Sequence, residues 1–82
     1  MPPYHLYILR CNDNSLYTGV TLDIEKRLIK HNSGKGAKYT ASRRPVQLVY
    51  SEKCKDKGAA LKREIEIKKW SKAKKEKLLK QN

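Results

Sequence analysis

The sequence predicts an α+β fold in which a three-stranded, antiparallel or mixed sheet is flanked by helices in the order β-β-α-β-α-α. Three observations predict it. Two aromatic and β-branched runs, residues 4–11 (YHLYILRC) and 16–20 (LYTGV), flank the dense turn signal Asn12-Asp13-Asn14-Ser15. A third run, residues 46–50 (VQLVY), alternates in the manner of a strand. Helical stretches separate this run from the hairpin and then complete the chain. At 82 residues the chain makes one domain, with a small core.

Each element has a local reason. The first helix is expected over residues 21–31, where Thr21 or Asp23 can cap the N-terminus and Asp23 and Glu25 suit its positive end. Ile24 and Leu28, one turn apart, face the sheet, and Asn32-Ser33-Gly34 ends the helix. Residues 35–45 read as a basic loop and residues 51–58 as a turn region of mixed charge. A second helix is expected over residues 59–71. A third, over 72–80, has Ser71 as its cap and docks through Leu78 and Leu79.

Charge narrows the function classes. Twenty Lys and Arg stand against eight Asp and Glu, a net charge of +12. From residue 26 to 51 there are seven basic residues and no acidic one. Solubilising surfaces usually mix signs, so a one-signed stretch of that length points to a polyanion, DNA first and RNA second. A membrane surface fits less well, because the basic stretch has no apolar helical face. Cys11 and Cys54 have no metal-ligand spacing and read as reduced, partly buried thiols, although sequence leaves a disulfide open. The start shows no signal peptide and no run approaches membrane-spanning length, so a cytoplasmic location is expected.

Several residues resist a purely structural reading. On a wheel of the second helix, Ala60, Leu61, Ile65 and Ile67 define an apolar arc, and Glu64 falls inside it, about 40° from Ala60. A carboxylate there is costly unless it is paired or binds a metal. Lys68 points into the same arc, so an i,i+4 pair with Glu64 is the plain alternative. On the first helix, Arg27 and His31 border the Ile24–Leu28 stripe and read as solvated flank residues unless they converge with Glu64. In the hairpin, Tyr7 and Tyr17 share a face if the loop has three residues and oppose each other if its length is even. Gly19 suggests a bulge or a close backbone approach.

Leu6-Tyr7 followed by Leu16-Tyr17-Thr18-Gly19-Val20-Thr21, then Asp23, Arg27, His31, Asn32 and the distant Glu64, resembles the GIY-YIG endonuclease superfamily. Gly36-Ala37-Lys38-Tyr39-Thr40, Arg43-Arg44-Pro45 and Leu48-Val49-Tyr50 are similar to its small stand-alone bacterial members. The resemblance covers roughly residues 4–78 and implies the GIY-YIG nuclease fold. It implies catalytic roles for Tyr7, Tyr17, Arg27, His31 and Glu64, with Glu64 as the metal ligand. The departures are His5-Leu6-Tyr7 in place of Gly-Ile-Tyr, Thr18 inside the second motif, and Val20 where some relatives carry a lysine.

The chemistry the resemblance implies is metal-assisted hydrolysis of a phosphodiester. Glu64 would hold one Mg²⁺ or Mn²⁺, weakly without substrate. Tyr7 or Tyr17 would accept the water's proton with help from His31, and Arg27 would clamp the phosphate. Lys35, Lys38, Arg43 and Arg44 are expected to hold the backbone beside the cut, with Tyr39 either stacking on a base or packing at the surface. The expected function is a structure-dependent rather than base-specific DNA nuclease. The alternatives are a catalytically weak DNA- or RNA-binding module and an RNA- or ribosome-associated protein.

Overall fold

The computed structural model describes residues 2–81. Seven elements follow one another: β1 (Tyr4–Arg10), β2 (Leu16–Thr21), α1 (Ile24–Asn32), α2 (Lys38–Ala41), β3 (Gln47–Cys54), α3 (Lys57–Lys68) and α4 (Lys72–Leu79). The sheet is antiparallel throughout, in the order β2-β1-β3. The α+β class and the three strands are as the sequence predicts. The order gains one element, because the basic loop contains the single turn α2.

The hairpin resolves the question of parity. Cys11 N–H donates to the Ser15 carbonyl at 2.8 Å, leaving Asn12, Asp13 and Asn14 as a three-residue loop. Asn14 takes φ 69°, a left-handed conformation that asparagine tolerates well. Leu9 therefore pairs with Tyr17, and Tyr7 with Gly19. Odd-numbered residues of both strands share one face, so both tyrosines lie on the same side of the sheet.

Each face carries its own core. On the odd face, Tyr7, Leu9, Cys11 and Val46 pack with Tyr17, Ile24 and Leu28 beneath α1. On the even face, Leu6, Ile8, Cys54, Ala60 and Ile67 pack with Val20, Trp70, Leu78 and Leu79 under α3 and α4. The two cysteines are free and sit in different clusters, on opposite faces of the sheet. The packing of Leu78 and Leu79 matches the docking role expected of them.

Two boundaries and one buried face differ from expectation. β3 runs on to Cys54, because Glu52 turns inward and is satisfied by the Tyr50 hydroxyl and the Arg63 guanidinium. A search for apolar alternation misses such a residue. α3 begins at Lys57, because Asp56 caps it by accepting from Ala59 N–H at 2.8 Å. Its buried stripe is also rotated from the expected arc. Ala60 and Ile67 are fully buried, whereas Leu61 and Ile65 are 37% and 57% exposed. Arg63 occupies the other flank of the stripe, reaching Glu52 and lying 5.3 Å from the Trp70 ring. Glu64 therefore sits at the edge of the buried face. Among the described residues no helix is long and apolar enough to cross a membrane.

Candidate active site

Tyr7 stands at the centre of β1 with almost no exposed surface. Its cross-strand partner Gly19 makes that placement possible. A Cβ on Gly19 would lie 2.5 Å from the Tyr7 hydroxyl and 2.6 Å from its ring carbon Cζ. The glycine of the second motif is thus a steric requirement of the tyrosine of the first, which is the close approach expected at this position.

The Tyr7 hydroxyl lies 2.9 Å from Nε2 of His31, and Nδ1 of His31 lies 2.7 Å from Thr40 Oγ1. The direction of this chain follows from counting protons. Thr40 has one hydroxyl proton and donates it to the Ala37 carbonyl at 2.9 Å. Its oxygen must therefore accept from His31, which places the imidazole proton on Nδ1. Nε2 is then a free lone pair that accepts from the Tyr7 hydroxyl. The imidazole is held neutral, because burial first, and then the charges of Arg27 and Lys30, lower its pKa below the usual 6.5. His31 is fully buried and not the solvated flank residue that its helical position suggests. The reason is α2, which brings Thr40 over it. Gly36 matters as well, since a Cβ there would collide with the imidazole ring.

Tyr17, half-buried, meets the edge of the same imidazole, with ring centroids 5.3 Å apart. Arg27 and Glu64 reach this cluster through their charges alone: among the described residues no hydrogen bond or ion pair joins either to Tyr7, Tyr17 or His31, and the buried residues of α3 pack on the other face of the sheet. Burial raises the Tyr7 phenol above its ordinary value of 10, and the neighbouring Tyr17 raises it further. The positive charge of Arg27 opposes these effects, and the negative charge of Glu64 adds to them. One phenol therefore feels all three of the other groups, drawn from β2, α1 and α3. Glu64 also forms the pair that its spacing suggests, with Lys68 Nζ 3.3 Å from its carboxylate and only 17% of its side chain exposed. The plain alternative that the spacing offers for Glu64, an i,i+4 pair, is thus present.

No group of three or more His, Cys, Asp or Glu side chains gathers for a metal among the described residues. Glu64, whose charge reaches the cluster and which already pairs with Lys68, would suit only a hard cation that keeps most of its waters and takes substrate oxygens, as Mg²⁺ does. It does not suit an ion that demands an all-protein shell.

The residues expected to bind nucleic acid divide into two groups. Lys35 and Lys38 are exposed. The arginines are engaged within the fold. Arg43 pairs with Asp13 at 3.0 Å, donates to the Tyr39 carbonyl at 2.9 Å and lies 3.8 Å from the Tyr39 ring centroid. Arg44 donates to the Ala41 carbonyl at 2.8 Å. Tyr39 stacks on Tyr17 at 6.0 Å, which favours its packing role over a free stacking platform. Sequence reasoning missed Thr40, for which the only signal is its place in the Gly36-Ala37-Lys38-Tyr39-Thr40 stretch. It also missed the part played by Asn32, whose side-chain amide exchanges two hydrogen bonds with the Val46 backbone, at 2.8 and 3.0 Å, and ties α1 to the start of β3.

Comparison with known proteins places this geometry. The GIY-YIG catalytic domain family matches residues 3–77. A UPF0213 protein of Staphylococcus saprophyticus is 61% identical over 79 residues, covering 96% of each chain. A UPF0213 protein of Syntrophus aciditrophicus is 58% identical over 83 residues, covering 100% of this chain and 95% of the other. Two solution NMR structures share the fold. The UPF0213 protein of Bacillus halodurans has a TM-score of 0.64 at 45% identity, covering 98% of this chain and 85% of that one. A protein of E. faecalis has a TM-score of 0.68 at 43% identity, covering 99% and 86%. With two tyrosines on one face, a glycine cut to fit one of them, and an arginine and a glutamate acting on the same phenol, the chain belongs to the GIY-YIG catalytic domain family, among its small UPF0213 members.

Proposed function

We propose that the protein is a nuclease that hydrolyses phosphodiester bonds in DNA, selecting substrate structure rather than base sequence. The observation that carries this reading is the directed chain Tyr7–His31–Thr40 within the fields of Arg27 and Glu64. A buried phenol whose pKa is raised is a poor base by itself. The chain removes that difficulty. As the attacking water gives its proton to the Tyr7 oxygen, Tyr7 passes its own proton to Nε2 of His31, so no free phenolate forms. Thr40 keeps the imidazole in the tautomer that can accept. The lowered pKa of His31 returns that proton to solvent after each turnover. Arg27 clamps a non-bridging oxygen of the phosphate. Glu64 would hold the Mg²⁺ or Mn²⁺, which supplies Lewis-acid neutralisation of phosphate charge. Tyr7, rather than Tyr17, is therefore the proton acceptor in this reading.

The Glu64–Lys68 pair favours a second reading, because an ammonium already neutralises the carboxylate. In that case the protein is a nucleic-acid-binding module with little activity of its own. One experiment decides between them. Nicked, flapped, four-way, single-stranded and plain duplex DNA are incubated with Mg²⁺ or Mn²⁺ and either wild type or Glu64→Gln. The nuclease reading expects cutting of at least one structured substrate. It also expects about a hundredfold loss or more in Glu64→Gln with binding retained. Wild type that binds but cuts none of the panel makes it the binding module.

A further inference from the structure

A cleft of about 440 Å³ opens between α1 and the N-terminal end of α3. Four cations line it: Lys26, Arg27 and Lys30 from α1, and Lys57 from α3. Arg27 is also the residue whose charge acts on the Tyr7 phenol, so the cleft shares one residue with the candidate active site. Lys26, Lys30 and Lys57 are exposed, and among the described residues no ion pair engages them. The one acidic side chain in the lining, Asp23, is occupied in capping α1, accepting from Lys26 N–H at 3.0 Å. The arginines of the 35–45 loop, by contrast, are spent on Asp13, Tyr39 and Ala41.

We propose that this cleft seats the sugar-phosphate backbone on one side of the cut, with Lys26, Lys30 and Lys57 as its phosphate contacts, and that Arg43 and Arg44 serve the fold instead. The proposal rests on the reading of the neighbouring cluster as a phosphodiester site. A concave surface that sets four cations against one carboxylate engaged in a helix cap, and that shares Arg27 with the proposed phosphate clamp, is suited to a polyanion that continues past the reacting group. Lys26 and Lys30 stand one helical turn apart, about 6 Å along α1, so they reach different points along a strand.

The test is equilibrium binding of a fluorescent flapped DNA to the full chain in EDTA, across a salt series. With Lys26, Lys30 and Lys57 all changed to Gln, affinity is expected to fall about tenfold or more, and the log–log salt slope to become shallower by about 2 to 3. Changing the same three residues to Arg is expected to restore both. Arg43→Gln with Arg44→Gln is expected to lower the melting temperature while leaving the slope near that of wild type. A triple Gln variant that binds with wild-type affinity and slope overturns the proposal, as does a slope that responds only to the arginine pair. Binding in EDTA is read apart from cutting: a protein that binds through these lysines here but cuts none of the DNA panel with Mg²⁺ or Mn²⁺ upholds the cleft and removes the nuclease reading. A protein that cuts while the triple variant binds normally does the reverse. Wild type without measurable affinity for DNA overturns both.

Discussion

Gly19 contributes no side chain, and the position of Tyr7 depends on that absence. A methyl group at Gly19 would press on the Tyr7 hydroxyl and ring, which are held between β2 and His31. Overpacking of this kind costs about 1–3 kcal/mol. Gly19→Ala is therefore expected to lower stability by ~2 kcal/mol in chemical denaturation, and to weaken any cutting by more than that loss of folded protein explains. Its neighbour Thr18 makes the opposite case. Its Oγ1 is buried without a hydrogen-bond partner among the described residues, on the face covered by α3, where an unsatisfied hydroxyl is a standing cost. Thr18→Val keeps the shape and removes the hydroxyl, and is expected to raise stability by about 1 kcal/mol in the same measurement. An unchanged or lower stability would show that the hydroxyl is satisfied in solution.

At the scale of elements, α4 is attached by a few contacts. Leu78 and Leu79 reach the core, and Glu76 receives both terminal nitrogens of Arg10 from β1, at 2.7 and 2.8 Å, with Lys72 adding a third bond at 3.1 Å. Hydrogen bonds from Arg10, and then from Lys72, pull the Glu76 carboxyl down to about 2. A carboxyl whose pKa is lower in the folded state stabilises the fold above its unfolded value, and that contribution disappears as pH falls toward the folded value. Glu76→Gln is therefore expected to cost about 1 kcal/mol at pH 7, a modest figure because the pair is partly exposed. The gap between the two melting temperatures should close as pH falls from about 4.5 toward 2. A gap that stays constant over that range would place the effect elsewhere.

The elements that could be read from the sequence are those whose signal is local. The hairpin, the Ser71 cap and the docking leucines of α4 all follow from turn residues, capping chemistry or apolar spacing. The second half of β3 could not be read, because its inward residue Glu52 is satisfied by Arg63, eleven positions further along the chain. The burial of Leu61 and Ile65 was overestimated for a related reason. The wheel treats apolar residues as buried, whereas in α3 Arg63 takes a half-buried place toward Glu52 and Trp70 while Leu61 and Ile65 stay exposed. The single turn α2 has no apolar periodicity to announce it, and it is the element that buries His31.

For the molecule as a whole, the net charge of +12 is what the proposal of a polyanionic partner starts from, and its distribution in three dimensions differs from its distribution along the chain. The longest basic stretch of sequence spends its arginines internally, while lysines from α1 and α3 meet beside the cluster. Of the candidate site, only Glu64 stands out against its local pattern; the tyrosines, Arg27 and His31 read locally as packing and flank residues and are drawn together by the family resemblance. The site's working order was not legible, since the tautomer of His31 depends on Thr40 and the shared face of the tyrosines depends on the loop length. The central claim is that these groups act as one catalytic unit. The most direct test is a double-mutant cycle on single-turnover cutting of one structured DNA in Mn²⁺, with wild type, Tyr7→Phe, Glu64→Gln and the double variant at saturating protein. Residues that act together are strongly non-additive, so each single change is expected to cost about 10²-fold or more and the double variant little beyond the worse single one. Losses that simply multiply, or Glu64→Gln cutting at the wild-type rate, would contradict the account.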